Sequence, residues 1–262
     1  MLRALRTAAL GMTAQQTGVD NIANNLANAN TTAFKRQTIV FQDLLYETVQ
    51  ASSDSEATGG ARPGSLQIGH GATAVTTVRS FGQGGLTQTG NPLDLGIRGE
   101  GFLQVRKPDG SIAYTRDGTL SLDAEGNIVT QNGLMVEPGL AIPPESAEVH
   151  ISGDGLLSVR IPGEPELVNV GQLELARFAN PAGLQPVGSN LFEQTDSSGE
   201  PTIGTPGQDG IGDLLQGFLE SSNVDVVQEM VNLITAQRAY EINSKMVTAG
   251  DEMLQTANGI KR

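Results

Sequence analysis

LRALRTAALGMTAQQTGVDNIANNLANA, residues 2–29, decides how the rest of the chain is read. Taken in alternate steps of three and four, it gives Leu2, Leu5, Ala9, Met12, Gln16, Val19, Ala23 and Leu26, apolar at seven of eight positions. That is the a/d spacing of a coiled-coil seam, and it predicts a helix from Leu2 to Ala29, about 40 Å long. A compact domain cannot cover a rod of that length on all sides. The opposite face carries Gln15, Thr17, Asn21, Asn24, Asn25 and Asn28, polar but uncharged. Burying amides costs only hydrogen bonds that a partner can replace, which suits a face that meets other protein.

The far end of the chain has the same character. A stripe of Val227, Val231, Ile234, Arg238, Ile242, Met246, Ala249, Met253, Ala257 and Ile260 is apolar at nine of ten positions. It advances 33 residues in nine steps, nearer an eleven-residue repeat than a heptad, so the helix stays nearly straight. Ser222 and Asp225 ahead of it resemble a capping box. Val226, Met230 and Leu233 make the early part apolar on a second side, so it can face two neighbours at once. An intramolecular hairpin packed on the rest of the chain is one reading of the two ends. Packing between molecules explains the surplus apolar surface better.

Between the ends the composition changes. The chain of 262 residues has a formal net charge of −13, and residues 46–220 hold eight Lys and Arg against 22 Asp and Glu. The same segment holds all 12 Pro and 29 of the 33 Gly. Pro breaks helix interiors and Gly marks turns, so the ends can be long helices and the middle cannot. Alternating runs separated by turn residues fill the middle. Phe102–Arg106 turns at Asp109-Gly110 into Ile112–Tyr114, and Asp117-Gly118 leads to Leu120–Leu122. Asp123–Gly126 leads to Ile128-Val129, Asn132-Gly133 to Leu134–Val136, and Glu148–Ile151 pairs with Leu156–Val159 across Asp154-Gly155. The fold class expected is α+β: long terminal helices pairing in a coiled-coil-like manner, and an all-β central body. The boundaries expected are 1–45 for the N-terminal helical segment, 46–66 for an extended arm, 67–220 for the β body and 221–262 for the C-terminal helical segment.

Little here supports chemistry. Cys is 0, which excludes disulfides, thiolate metal sites and Cys nucleophiles, and the two His cannot build a multi-His zinc site. Neither His70 nor His150 stands in a triad-like arrangement, and each reads as an ordinary surface or core side chain. Gly99-Glu-Gly101 and Gly82–Gly85 lack the strand–turn–helix setting of a phosphate loop. Asp117, Asp123, Glu125 and Asp154 sit in turns where they cap their own backbone, without the spacing of a calcium loop. With no Trp and ten other aromatics, a stacking platform is poorly supplied. The expectation is no catalytic residue, no cofactor and no metal. An acidic chain does not wrap nucleic acid, and no apolar run reaches membrane-spanning length. No cleavable signal peptide is expected either.

Three stretches carry a resemblance. Asn21–Arg36 (NIANNLANANTTAFKR) resembles the N-terminal signature of the bacterial flagellar basal-body rod and hook family. Asn91–Phe102 (NPLDLGIRGEGF) with Ala113–Gly118 (AYTRDG) is similar to its central β segment, and Gly217–Asp225 (GFLESSNVD) with Ala236–Lys245 (AQRAYEINSK) to its C-terminal signature. The opening Met1–Arg6, Phe41–Tyr46 and the arm before Gln67–Gly71 are most similar to members that build the distal part of the rod. Ala33 stands where the family usually has Gly, which would permit positive φ after the helix; with Ala there the sequence leaves that turn open.

The resemblance implies a structural subunit, not an enzyme. It would polymerise helically into the drive shaft that carries motor torque across the periplasm to the hook. The terminal helices would form the inner tube and the acidic body the outer wall. The implied polymer interface is Leu5, Met12, Val19, Leu26, Asn24, Asn25, Asn28, Val227, Val231, Ile234, Ile242, Met246 and Met253. Ser52, Ser53, Asp54, Ser55 and Glu56 would belong to a rod-stiffening arm. Implied partners are further copies of the chain, proximal-rod and hook proteins axially, P- and L-ring proteins around the rod, and the flagellar type III export apparatus. The implied place is the basal-body rod, reached without a cleaved signal. A proximal-rod or hook subunit is the nearest alternative; a secreted β-rich hydrolase or a soluble binding module are alternatives of other classes.

Overall fold

The computed structural model describes residues 2–50, 65–162 and 167–259. It has a long helix near each end and a β-rich middle, an α+β chain. Two compact units form. One, the helical unit, comprises Met1–Ala27, Gln37–Val78 and Asp225–Arg262; the other, the β body, comprises Asn28–Arg36 and Arg79–Val224.

In the helical unit, α1 (Leu2–Ala27) and α2 (Val226–Gly259) pack against each other. Helix α1 stops two residues short of the expected Ala29, because the chain turns: the Thr31 N–H donates to the Asn28 carbonyl at 3.2 Å. Helix α2 starts at Asp225, whose carboxylate accepts from the N–H groups of Val227 at 2.9 Å and Gln228 at 3.1 Å. The Ser222–Asp225 capping box does not form. Residues 221–225 lie outside the helix, the Ser222 hydroxyl accepts from the Val224 N–H instead, and Asp225 itself is the N-cap.

The face each helix gives to its own unit is lined by small and polar side chains. Buried are Ala8, Ala14 and Asn25 on α1, and Glu229, Ala236 and Gly250 on α2. A Cβ on Gly11 would stand 3.0 Å from the Asn243 side chain, so glycine there permits close approach. Of the expected N-terminal seam, Leu5, Met12, Val19 and Leu26 are half-buried, while Ala9, Gln16 and Ala23 are exposed. Four strands complete the unit: Gln37–Asp43 pairs with Ala72–Arg79, and Tyr46–Gln50 runs antiparallel to Leu66–Gly69.

The β body is built on a nine-stranded sheet. Along it lie Gln185–Gly188, Leu191–Glu193, Ile112–Thr115, Phe102–Arg106, Met135–Val136, Ile128–Thr130 and Leu120–Leu122. Leu175–Arg177 pairs with both Phe102–Arg106 and Thr202–Gly204. Glu148–Ile151, Leu156–Arg160 and Val168–Gln172 form a second, three-stranded sheet. The hairpins at Asp109-Gly110, Asp123–Gly126, Asn132-Gly133 and Asp154-Gly155 are present, with Val105 opposite Ala113 and Val149 opposite Val159, whereas Asp117-Gly118 closes none: Ile112–Thr115 pairs with Phe102–Arg106 and Leu191–Glu193, and Leu120–Leu122 with Ile128–Thr130. Gly118 is required for a different reason from the turn glycines. Its Cβ would overlap the carbonyl of Leu95, whose N–H bonds back to the Gly118 carbonyl at 3.0 Å. Leu95, Ile97, Leu103, Val105, Leu157, Val159, Leu175 and Leu214 fill the core. A second cluster of Phe102, Tyr114, Phe178 and Phe192, with Phe81 against it, packs edge to face.

Candidate functional site

The two units differ in what they bury. Among the described residues of the helical unit, the buried apolar side chains are Ala8, Ala14 and Ala236; the β body buries leucines, isoleucines, valines and phenylalanines. At about 25 cal/mol per Å² of apolar surface, three alanines supply little against the entropy of ordering two helices. The apolar residues that could supply more point outward. Val227 is 72% exposed, Ile242 60%, and Val231, Ile234, Met246 and Met253 about half. On the strands Val40, Phe41, Tyr46 and Val75 are also exposed, and Leu45 is 87% exposed. Helix α2 thus has two working faces: one spent on α1, and an apolar stripe left uncovered within the chain.

The asparagine face divides. Asn25 is engaged within the unit. Its side-chain amide donates to the Gln37 carbonyl at 2.8 Å and to the Glu229 carboxylate at 3.3 Å, and its oxygen accepts the Gln37 N–H at 2.9 Å. It ties α1, the first strand and α2 together. Asn24 is exposed and Asn28 half-buried. His70 lies 3.8 Å from Glu47, and His150 is exposed on its strand. The arm residues Ser52, Ser53, Asp54, Ser55 and Glu56 lie outside the described residues.

A second site was not singled out by sequence reasoning, although every residue of it lies in a quoted motif. Lys35, Arg116 and Glu220, one from each of the three motif stretches, meet inside the β body. The side chains of Lys35 and Glu220 are fully buried, and that of Arg116 nearly so. Lys35 Nζ lies 2.6 Å from Glu220 Oε1, and Arg116 Nε 2.8 Å from Oε2. The remaining valences are met: the Gly84 N–H donates to Glu220, Lys35 donates to the Gly82 carbonyl, and Arg116 donates to the carbonyls of Gly99 and Gly101. The Ala33 N–H donates to the Glu220 backbone carbonyl at 2.8 Å, with Ala33 at φ 57 and buried. Asn223 accepts the Arg36 N–H and donates to the carbonyls of Ser80 and Gly82. Burial alone pushes the Glu220 carboxyl up, but the Arg116 and Lys35 cations and their hydrogen bonds more than offset it and hold it below the usual range. Burial, with the Arg116 charge next, lowers the Lys35 ammonium against the opposing pull of Glu220. Each cation here has its anion and its acceptors, so the cluster is structural.

Both the closed ionic node of the β body and the uncovered apolar stripe of the helical unit are features of a structural protein. Comparison with known proteins gives the family. The models "Flagella basal body rod protein", "Flagellar hook protein FlgE/F/G D1 domain" and "Flagellar basal body rod FlgEFG protein C-terminal" match residues 5–35, 96–159 and 215–260. The chain is 47% identical over 99% of its length to all of the flagellar basal-body rod protein FlgG of Caulobacter vibrioides. It is 47% identical to that of Borreliella burgdorferi and 38% to that of Bacillus subtilis, with both chains fully covered. The chain belongs to the flagellar basal-body rod protein family, whose members are structural components and not enzymes. No described helix is long and apolar enough to cross a membrane.

Proposed function

We propose that this protein builds the distal segment of the flagellar rod, polymerising helically into the shaft that passes motor torque across the periplasm to the hook. The observation that carries this reading is the α2 stripe: six large apolar residues from Val227 to Met253 lie exposed in a unit whose described residues bury almost no apolar core. Contact with further copies covers that surface, and a heterologous contact between identical subunits propagates into an open helix. In this reading Leu5, Met12, Val19 and Leu26 join the α2 stripe, with Asn24 and Asn28 alongside. Asn25 and Glu229 hold the helix pair that presents them. The terminal helices pair in a coiled-coil-like manner along the inner tube, and residues 1–45, 46–66, 67–220 and 221–262 act as helical segment, arm, outer body and helical segment. Proximal-rod and hook proteins adjoin axially, ring proteins surround the shaft, and the type III apparatus exports the subunit without a cleaved signal.

Electron microscopy of assembled material tests this. Straight, stiff tubes are expected, whereas curved tubes would indicate a hook subunit and their absence a soluble module. The arm is proposed to set stiffness: a polar segment bridging to an axial neighbour adds contacts that must break when subunits slide, and bending needs that sliding. Deleting Ser52 to Gly60 is expected to yield tubes that form but bend. Straight tubes of unchanged stiffness would locate the rigidity in the β body.

A further inference from the structure

The chain passes between the helical unit and the β body four times, after Ala27, Arg36, Val78 and Val224. On the body side, three of these passages meet at one side chain, that of Asn223. Its Oδ1 accepts the Arg36 N–H at 2.7 Å, and its amide nitrogen donates to the Ser80 carbonyl at 2.8 Å and the Gly82 carbonyl at 2.9 Å. The Ser80 N–H donates to the Arg36 carbonyl at 2.9 Å, and the Asn223 N–H to the Phe34 carbonyl at 3.3 Å. Arg36, Ser80 and Asn223, each beside a passage, are thus tied to one another within the body. An asparagine suits this place, because one acceptor faces an N–H while two donors face carbonyls. A carboxylate would repel both carbonyls, and a hydroxyl has too few hydrogens.

The passage after Ala27 is held through the same segment. Two successive turns carry the chain from Asn28 to Phe34, with the Thr31 N–H donating to the Asn28 carbonyl and the Phe34 N–H to the Thr31 carbonyl. Asn190 donates to the Thr32 carbonyl at 3.1 Å. Glu220 accepts the Ala33 N–H through its backbone carbonyl and Lys35 Nζ through its carboxylate. The segment that follows α1 and the segment that precedes α2 are therefore bonded to each other inside the body, and these bonds use no residue of either helix.

Building on the reading of the chain as a polymer subunit, we propose that Asn223 is a positioning residue for assembly. It fastens the passages in the free subunit, so that α1 and α2 start from fixed points while the helices themselves stay open. Pairing two helices from opposite ends of the chain otherwise closes a loop the length of the whole body, at a cost in entropy. With the starting points fastened beforehand, joining a growing rod orders the helices alone, and this preorganisation lowers the concentration at which rods form.

Amide hydrogen exchange of the unmodified monomer gives the first test. The N–H groups of Ala33, Arg36, Ser80 and Asn223 are expected to exchange as slowly as those of the body strands, and exchange as fast as that of α1 and α2 overturns the proposal. Asn223→Ala is expected to speed exchange at Arg36 and Ser80 and to raise the lowest concentration that yields rods by about tenfold, the scale of one net hydrogen bond. Val159→Ala, a core substitution in the three-stranded sheet, weakens the body without touching a passage and should leave that concentration unchanged. An equal rise in both variants overturns the proposal, because assembly then follows body stability, and so does no rise in Asn223→Ala. Exchange in the unmodified monomer decides even where Asn223→Ala does not fold. Failure of the unmodified chain to form rods at any concentration instead overturns the polymer reading on which the proposal rests.

Discussion

At the scale of single residues, Glu220 has the largest reach. It holds Lys35 and Arg116, which are 185 and 104 positions away in the sequence, and does so without access to water. Removing one charge from a buried cluster leaves the others unpaired, at a cost of about 3–5 kcal/mol. Glu220→Gln is expected to destabilise the β body by that amount at pH 7, read by urea denaturation followed through Tyr114, a body tyrosine in a chain without Trp. The pH dependence has a definite sign. The folded pKa of Glu220 lies below its unfolded value, so its contribution is full above the ordinary carboxylate range and is lost as pH falls through the lowered value. The wild-type midpoint should fall on acidification, and Glu220→Gln should flatten that slope. Some slope remains, since Asp213 beside Arg98 is also held low. An unchanged slope in Glu220→Gln would remove the cluster from the account of stability.

At the scale of elements, α2 is the informative one. Its inner face carries Ala236 and Gly250 against α1, and its outer face carries Ile234, half exposed. Ile234→Asp therefore costs the isolated subunit little. In an apolar seam between copies the same carboxylate would be buried without a partner, at several kcal/mol per subunit. Sedimentation should find the variant monomeric, with an unchanged melting transition for its β body. Glu200→Lys, exposed on the body, serves as the control and should still assemble. Equal assembly of both variants would exclude the α2 stripe as an interface.

For the whole molecule, the uneven distribution of core predicts uneven stability. The β body has a leucine and valine core, an aromatic cluster and a buried ionic cluster, while the described part of the helical unit buries alanines. Local opening free energy follows buried apolar contact, so in the monomer both helices should open far more readily than the body. Amide hydrogen exchange is expected to be fast across Leu5–Leu26 and Val227–Met253 in the monomer, slow in the body, and slow in all three after assembly. Strong protection of both helices in the free monomer would mean that the small-residue packing of α1 on α2 suffices by itself.

The sequence by itself determined the elements. Proline confined to the middle, with 29 of the 33 glycines, left two uninterrupted helices at the ends, and Asp-Gly and Asn-Gly pairs placed most of the hairpins, because these signals act within a few residues of the chain. It also carried the family, through three stretches of side chains in order. Ala33 was not legible: an alanine where the family usually has Gly left the conformation of that turn open, and the folded chain holds it at φ 57. The tertiary structure alone decided which face of each helix is spent inside the unit. An α2 apolar on two sides can pack either way, and close approach selected Ala236 and Gly250 over the bulkier Val227–Met253 stripe. It alone made Asp225 the cap, with Asn223 just ahead of it tied to Arg36, Ser80 and Gly82. And it alone brought Lys35, Arg116 and Glu220 together. Periodicity and turn chemistry are local, whereas a salt bridge across 185 residues exists only once the chain has folded around it.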